Sequence, residues 1–290
     1  MKRFWAVFSL ALLLFAACVN GSANSGSLID ELSVREKGTF RGHLEALLAA
    51  ELEARERNAV EHRLTDSRNV VYSVGDVLFY RVESLQTCAV GNYSISGWFE
   101  IEVLDEGKKN PFTGDSVLTL VETQAYAVML IGPGAGVSHV STIGGSVSRY
   151  FTQDPKTGTI LYWGDSFPKP EGSGLSTVWF QAPYIPIDSP YRVGQEQQAL
   201  YDRYSEVDGR LEYLDTLGSK VIVEGVETVV TDLGRFEAYK MAWYDAQGVL
   251  VRHQYLYPAL GIVKFIFSPL PGCSGDMKMF ISYTNIPNPT

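Results

Sequence analysis

FEAYKMAWYDAQGVLVRHQYLYPALGIVKFIF, residues 236–267, decides the fold. It holds three runs rich in aromatic and β-branched residues: FEAYKMAWY (236–244), VLVRHQYLY (249–257) and GIVKFIF (261–267). Such residues suit pleated, half-buried surfaces, so each run reads as a strand. DAQG (245–248) joins the first pair as a turn. Pro258 ends the second strand by removing a ladder donor, Gly261 permits the tight turn, and Val263 restarts the buried alternation. Three strands joined by such short turns must be antiparallel neighbours.

The same texture extends outward. VLFYRV (77–82), WFEIEV (98–103) and VLTLVET (117–123) read as strands, and the chain carries 16 Tyr, 14 Phe and 5 Trp. Asp208-Gly209 is a tight hairpin signal, and Asp154-Pro155-Lys156-Thr157-Gly158 marks another turn. Many closely spaced strands with no helices between them exclude βαβ units. The expected fold is mainly β: a large antiparallel curved sheet or half-barrel that hides its edges, with one long N-terminal helix. That helix is expected over 39–66, where Phe40, Leu44, Leu47, Leu48 and Leu52 form one apolar stripe, continued by Ala59, Val60 and Leu64. Glu51–Arg55 and Glu53–Arg57 support its exposed face. The β domain is expected over 70–290. Tyr72-Ser-Val-Gly75-Asp76 and Tyr191-Arg-Val-Gly194-Gln195 begin alike, which suggests two β units, about 70–167 and 191–285. The Pro-rich stretch 168–190 reads as the linker between them or as a loop over a sheet mouth.

The N-terminus gives location. Lys2 and Arg3 precede an uncharged apolar run, Phe4–Phe15, too short to span a bilayer, and Ala16-Ala17-Cys18 follows. This resembles the export signal of bacterial lipoproteins, in which the cysteine is joined to diacylglycerol, acylated (palmitate is typical) and becomes the new N-terminus. The resemblance departs at Phe15, where Leu is usual. It implies a signal peptide over 1–17, lipidation at Cys18, and an anchor and tether over 18–38. Val19 differs from the Asp that resembles an inner-membrane retention signal, which points to the outer membrane, facing the periplasm. Cleavage after Ala23 would instead release a soluble protein.

VEGVETVVTDLGRFEAYKMAWYD and YLYPALGIVKF, within 221–267, resemble a pattern in uncharacterised envelope β proteins. Its marks are Gly234-Arg235-Phe236 followed by Tyr255 or Tyr257, Pro258, Gly261, Val263 and Lys264. These proteins look distantly similar to the Lol lipoprotein carriers. That implies a half-open barrel holding acyl chains under a helical lid, and it transfers no catalytic residue.

Composition and motifs narrow the rest. The chain has 24 basic against 33 acidic residues, a net charge of −9, and loss of Lys2 and Arg3 with the signal makes it more acidic still. No basic patch marks a nucleic-acid surface. Cys88 and Cys273 remain as an even pair in an oxidising compartment, a candidate disulfide, with buried free thiols as the alternative. There is no G-x-S-x-G and no HExxH, and His43, His62, His139 and His253 stand far apart. No catalytic, metal or cofactor site is therefore assigned. GPGAGV (132–137) lacks the P-loop Lys and reads as a hairpin loop. Asp202 to Asp215 fits an EF-hand poorly, with Tyr204 at the first ligand position. Trp98, Trp163 and Trp179 are candidates to line a cleft, with core packing as the alternative. The expected function is a non-catalytic, lipid-anchored envelope protein that binds a hydrophobic ligand (lipid or acyl chain) in a β cleft. The alternatives are a scaffold that binds another envelope protein, and an all-β carbohydrate-active enzyme using paired carboxylates.

Overall fold

The computed structural model describes residues 61–64, 69–88, 91–131, 137–169, 175–184, 190–269 and 273–287. Cys18, its tether and residues 39–60 lie outside these. The described residues contain no helix. At the end of the expected helix, Glu61–His62 is a two-residue strand, β1, paired in parallel with Arg235 and Phe236. The helical pattern misreads this end because local periodicity cannot register a pairing 170-odd positions away.

The first half of the wall comprises β2 (Val77–Cys88), β3 (Gly91–Leu104), β4 (Leu118–Ile131), β5 (Val137–Gln153), β6 (Ile160–Pro168) and β7 (Leu175–Tyr184). The second comprises β8 (Glu196–Val207), β9 (Arg210–Thr231), β10 (Gly234–Asp245), β11 (Leu250–Tyr257), β12 (Gly261–Phe267) and β14 (Met277–Thr284), with the short β13 (Cys273–Ser274) beside β2. Each wall strand pairs antiparallel with its sequence neighbour. β9 pairs with β10, and β14 returns to β2, so twelve strands close into one barrel. The expected half-barrel is thus complete. Closure removes the open edges that a curved sheet would otherwise expose. The Pro-rich stretch is neither wholly linker nor loop, because its residues 175–184 form the wall strand β7. Pro183 is accommodated where the β6–β7 register breaks between Tyr162 and Gly164.

The two similar sequence starts make the same turn. Gly75 N–H bonds Val103 O and Asp76 N–H bonds Ser73 O; Gly194 N–H bonds Val223 O and Gln195 N–H bonds Arg192 O. Both glycines have positive φ, +91° and +85°, where a side chain would be strained. Each turn opens a long hairpin and six wall strands. The second hairpin is one residue longer up to the matching valine, and the bulge between Arg203 and Tyr204 absorbs it.

The largest core cluster includes Leu78, Tyr80, Val82, Phe99, Phe151 and Phe265. Tyr80 and Phe265 meet edge-on at 5.4 Å, and Phe99 meets Phe265 at 6.3 Å. Burying each such side chain contributes roughly 1.5–3 kcal/mol.

Candidate functional site

Register partners point to the same face of a sheet, so the pairing assigns the inner wall. Met241, Gln254, Phe265, Met279, Val82, Gly97 and Tyr126 form one continuous line of partners. Leu120, Arg149, Asp165 and Val178 form another. An eight-stranded barrel is just wide enough for its own side chains to fill, so twelve strands enclose more room than that.

One end of this space is crossed by residues 69–76. Val70 N–H bonds Pro258 O at 2.6 Å, and the Gln153 amide holds both Val70 O, at 2.7 Å, and Tyr72 N–H, at 2.8 Å. Tyr191 Oη donates to Asn69 at 2.9 Å. Burial, then nearby Tyr162, raises the Tyr72 pKa, which keeps its phenol neutral. Gly261, at φ +102°, lies against it: a Cβ there would stand 2.3 Å from Tyr72 Oη. The β11–β12 turn therefore needs this glycine twice, for its φ and for the strap.

The middle of the inner wall is ionic. Arg149 Nε donates to Glu122 at 2.6 Å and Arg149 Nη1 to Asp165 at 3.3 Å. Arg203 makes a bidentate pair with Asp215, both bonds 2.7 Å. Arg252 lies over the Trp243 ring at 4.8 Å. Around them Phe180 and Tyr201 rings are 5.0 Å apart, Tyr184 and Tyr201 5.4 Å, and Tyr184 and Trp243 5.5 Å. β7 and β10 are not neighbours in the sheet, so the last contact is made inside the barrel, across β8 and β9. Arg149 lies deep in the barrel, yet 29% of its side-chain surface is open. Tyr162, Tyr184 and Arg252 are likewise deep and only half-buried by area. These charged and phenolic groups keep accessible surface although protein surrounds them.

Burial raises the Asp165 carboxyl above its usual value, ahead of the opposing pull of Arg149. Burial alone would lower Arg149, but Glu122 and then Asp165 outweigh it, so the guanidinium is held charged. Burial pushes Tyr162 up to about 12 and raises Tyr184 and Tyr201, so these phenols stay neutral. The indole N–H of Trp243 is buried with no acceptor among the described residues.

The three candidate tryptophans sit elsewhere. Trp98 is the partner of Arg81, on the face opposite Tyr80 and Phe99, and stacks on Phe79 at 5.7 Å. Trp179, 2% exposed, packs with Val117, Tyr150 and Trp163 on the outer side, beneath the β3–β4 excursion that carries Phe112. Among the described residues, Trp243 is the tryptophan on the inner wall. Its sequence signal was its alternation with Met241 and Tyr239, which the reading of 236–244 as a strand contains. Cys88 and Cys273 are register partners of β2 and β13, with Cα atoms 4.2 Å apart and a disulfide between them. His139 lies on β5, not in the loop before it, and His62 stacks on Phe236 at 4.4 Å. Residues 132–136 lie outside the described set, and the flanking β4 and β5 pair as a hairpin. Asp208-Gly209 turns β8 into β9, with Asp208 at φ 51°. No group of three His, Cys, Asp or Glu positioned for a metal occurs among the described residues.

No family model and no curated protein matches the chain. Among solved structures it is similar to a provisionally assigned exported protein with a YmcC-like fold from Bacteroides fragilis. That match has 11% identity and a TM-score of 0.34, over 76% of this chain and 99% of the other. A provisionally assigned lipoprotein from Parabacteroides distasonis matches at 11% identity and TM-score 0.28, over 76% and 100%. A provisionally assigned outer membrane lipoprotein-sorting protein domain from Vibrio parahaemolyticus matches at 8% and 0.18, over 84% and 93%. Likenesses this low assign no function.

Proposed function

We propose that this is a lipid-anchored envelope protein that holds an amphiphilic ligand in the barrel lumen without turning it over. The observation that carries the reading is the inner wall: deep, aromatic and ionic side chains that keep open surface inside a closed twelve-strand barrel. The Glu122–Arg149–Asp165 and Arg203–Asp215 pairs on the same wall favour a ligand with a polar part beside its hydrophobic one.

Anchoring rests on the export signal ending at Cys18, and the Cys88–Cys273 bridge suits an oxidising compartment. The outer wall carries Arg81, Glu83, Lys220, Lys240 and Glu224, which favours water outside rather than lipid. Glu122 and Asp165 share one guanidinium, which clamps them together instead of leaving them as an acid and a base across a sugar bond. Native mass spectrometry with lipid extraction, on protein purified from its own envelope, tests the reading. A stoichiometric bound amphiphile is the expected result. A chain that never carries or takes up one removes the carrier reading and leaves the scaffold.

A further inference from the structure

We infer that the lumen beside Trp243 receives an uncharged glycosyl group, as the head of the bound amphiphile. This rests on the lumen reading above and names the class of polar group that the site takes.

Three features converge on it. The first is charge balance. Arg149 is paired with Glu122 and Asp165, and Arg203 with Asp215, so both of these guanidinium groups are already matched by carboxylates. A phosphate or carboxylate head at Arg149 or Arg203 would have to break an existing pair and leave a charge uncompensated. The second is the stack of rings from Phe180 through Tyr201 and Tyr184 to Trp243, which offers apolar faces to the C–H side of a sugar. The third is the Trp243 N–H, an orphan donor on a side chain 6% exposed. A buried donor without an acceptor calls for one, and hydroxyl and ring oxygens supply it. A bare acyl chain supplies no acceptor and lies against an ionic wall. A sugar hydroxyl both donates and accepts, so it can meet the carboxylates, the guanidiniums and the indole in one ring.

The test uses the full exported chain with Cys18→Ser, so that no detergent competes. Octyl β-glucoside, octyl β-galactoside and octyl α-mannoside are titrated below their micellar concentrations by calorimetry. Sodium octanoate and octyl phosphate serve as chain-matched anions. The expected result is that at least one glycoside binds about tenfold or more tightly than either anion. Trp243→Phe, which keeps a ring and deletes the orphan donor, should weaken that glycoside about tenfold, the value of one hydrogen bond. Its urea midpoint in the absence of ligand should not fall. Should Trp243→Phe not fold, Tyr201→Phe replaces it in the same comparison. An anion that binds as tightly as every glycoside overturns the glycosyl assignment and leaves the lumen reading standing. Glycoside binding unchanged in Trp243→Phe overturns its placement at the indole N–H, and binding unchanged in Tyr201→Phe overturns its placement on this ring stack. No binding by any of the five compounds overturns the lumen reading as well.

Discussion

Arg149→Met should destabilise the barrel by about 2–4 kcal/mol at neutral pH, and acid should relieve much of the loss. Arg149 holds Glu122 at 2.6 Å and Asp165 at 3.3 Å, and the two carboxylate side chains are only 17% and 9% exposed. Removing one partner of a buried ionic group costs about 3–5 kcal/mol, mostly because the other charge is stranded. The 29% of Arg149 surface that is open admits some water and lowers that figure to the range given. In the variant, burial without the cation raises the folded-state pKa of Asp165 further above that of the unfolded chain. The folded state then binds more protons than the unfolded state in the weakly acidic range, so stability rises as pH falls toward the ordinary carboxylate values of about 4. Wild type shares the direction in weaker form, since burial already raises Asp165. Urea unfolding followed by tryptophan fluorescence at pH 8 and pH 5 measures both effects. Adding Glu122→Gln and Asp165→Asn to the variant should recover stability at pH 8. A deficit below about 1 kcal/mol that does not change with pH would refute the claim that these charges are buried together.

Four further outcomes follow from the same geometry. Breaking the Cys88–Cys273 bridge, whose partners are 185 positions apart, should cost up to about 5 kcal/mol by the chain-entropy model; two free thiols in non-reducing peptide maps of alkylated protein would sink it. Gly261→Ala should cost about 1–3 kcal/mol through its positive φ and its approach to Tyr72, read as a lower urea midpoint that Tyr72→Phe partly restores. Burial lowers the His62 pKa, so the unfolded chain binds more protons and stability should fall as pH drops below about 6.5; His62→Phe should flatten that slope in thermal melts. Cells fed a clickable fatty acid should label the wild-type chain and not Cys18→Ser; a wild-type chain that starts at Asn24 without label would place the protein free in the periplasm.

The sequence announces the strands of this fold better than its interior. Runs such as 236–244 and 261–267 carry aromatic and β-branched residues bounded by turn residues, and those are local signals. Closure is not local, because it depends on β14 finding β2 across nearly the whole domain. The ionic wall was hidden for a related reason. Arg149, Asp165 and Arg203 sit on different strands, and bulges at Trp163 and between Arg203 and Tyr204 shift the inward phase next to them. A charged residue at an inward position reads as outward unless the bulge is known. The three candidate tryptophans fail for the same reason, since a strand's aromatics are visible in sequence while their face is set by register.

The repeat at Tyr72 and Tyr191 connects the barrel's construction to its site. Each half opens with the same hydrogen-bonded turn and supplies six strands, a pattern we propose reflects duplication of one β unit. A six-strand sheet alone leaves two edges open and only a shallow face to bury. Joined end to end, two such sheets satisfy each other's edges and enclose a wider interior than an eight-stranded barrel does. The two starting turns then fall at one end of the barrel, where Tyr191 bonds Asn69 and Tyr72 lies over the β11–β12 turn, so each half helps to seal the other. The ionic pairs divide the same way: Glu122, Arg149 and Asp165 come from the first half, and Arg203, Asp215 and Arg252 from the second. If the halves pack as a unit around a ligand, perturbing the seal should be felt in the lumen. Gly261→Ala should therefore weaken ligand binding as well as stability, although the substitution lies at the strap and not among the ionic pairs. Binding unchanged in a folded Gly261→Ala chain would show that the strap is a structural seal alone.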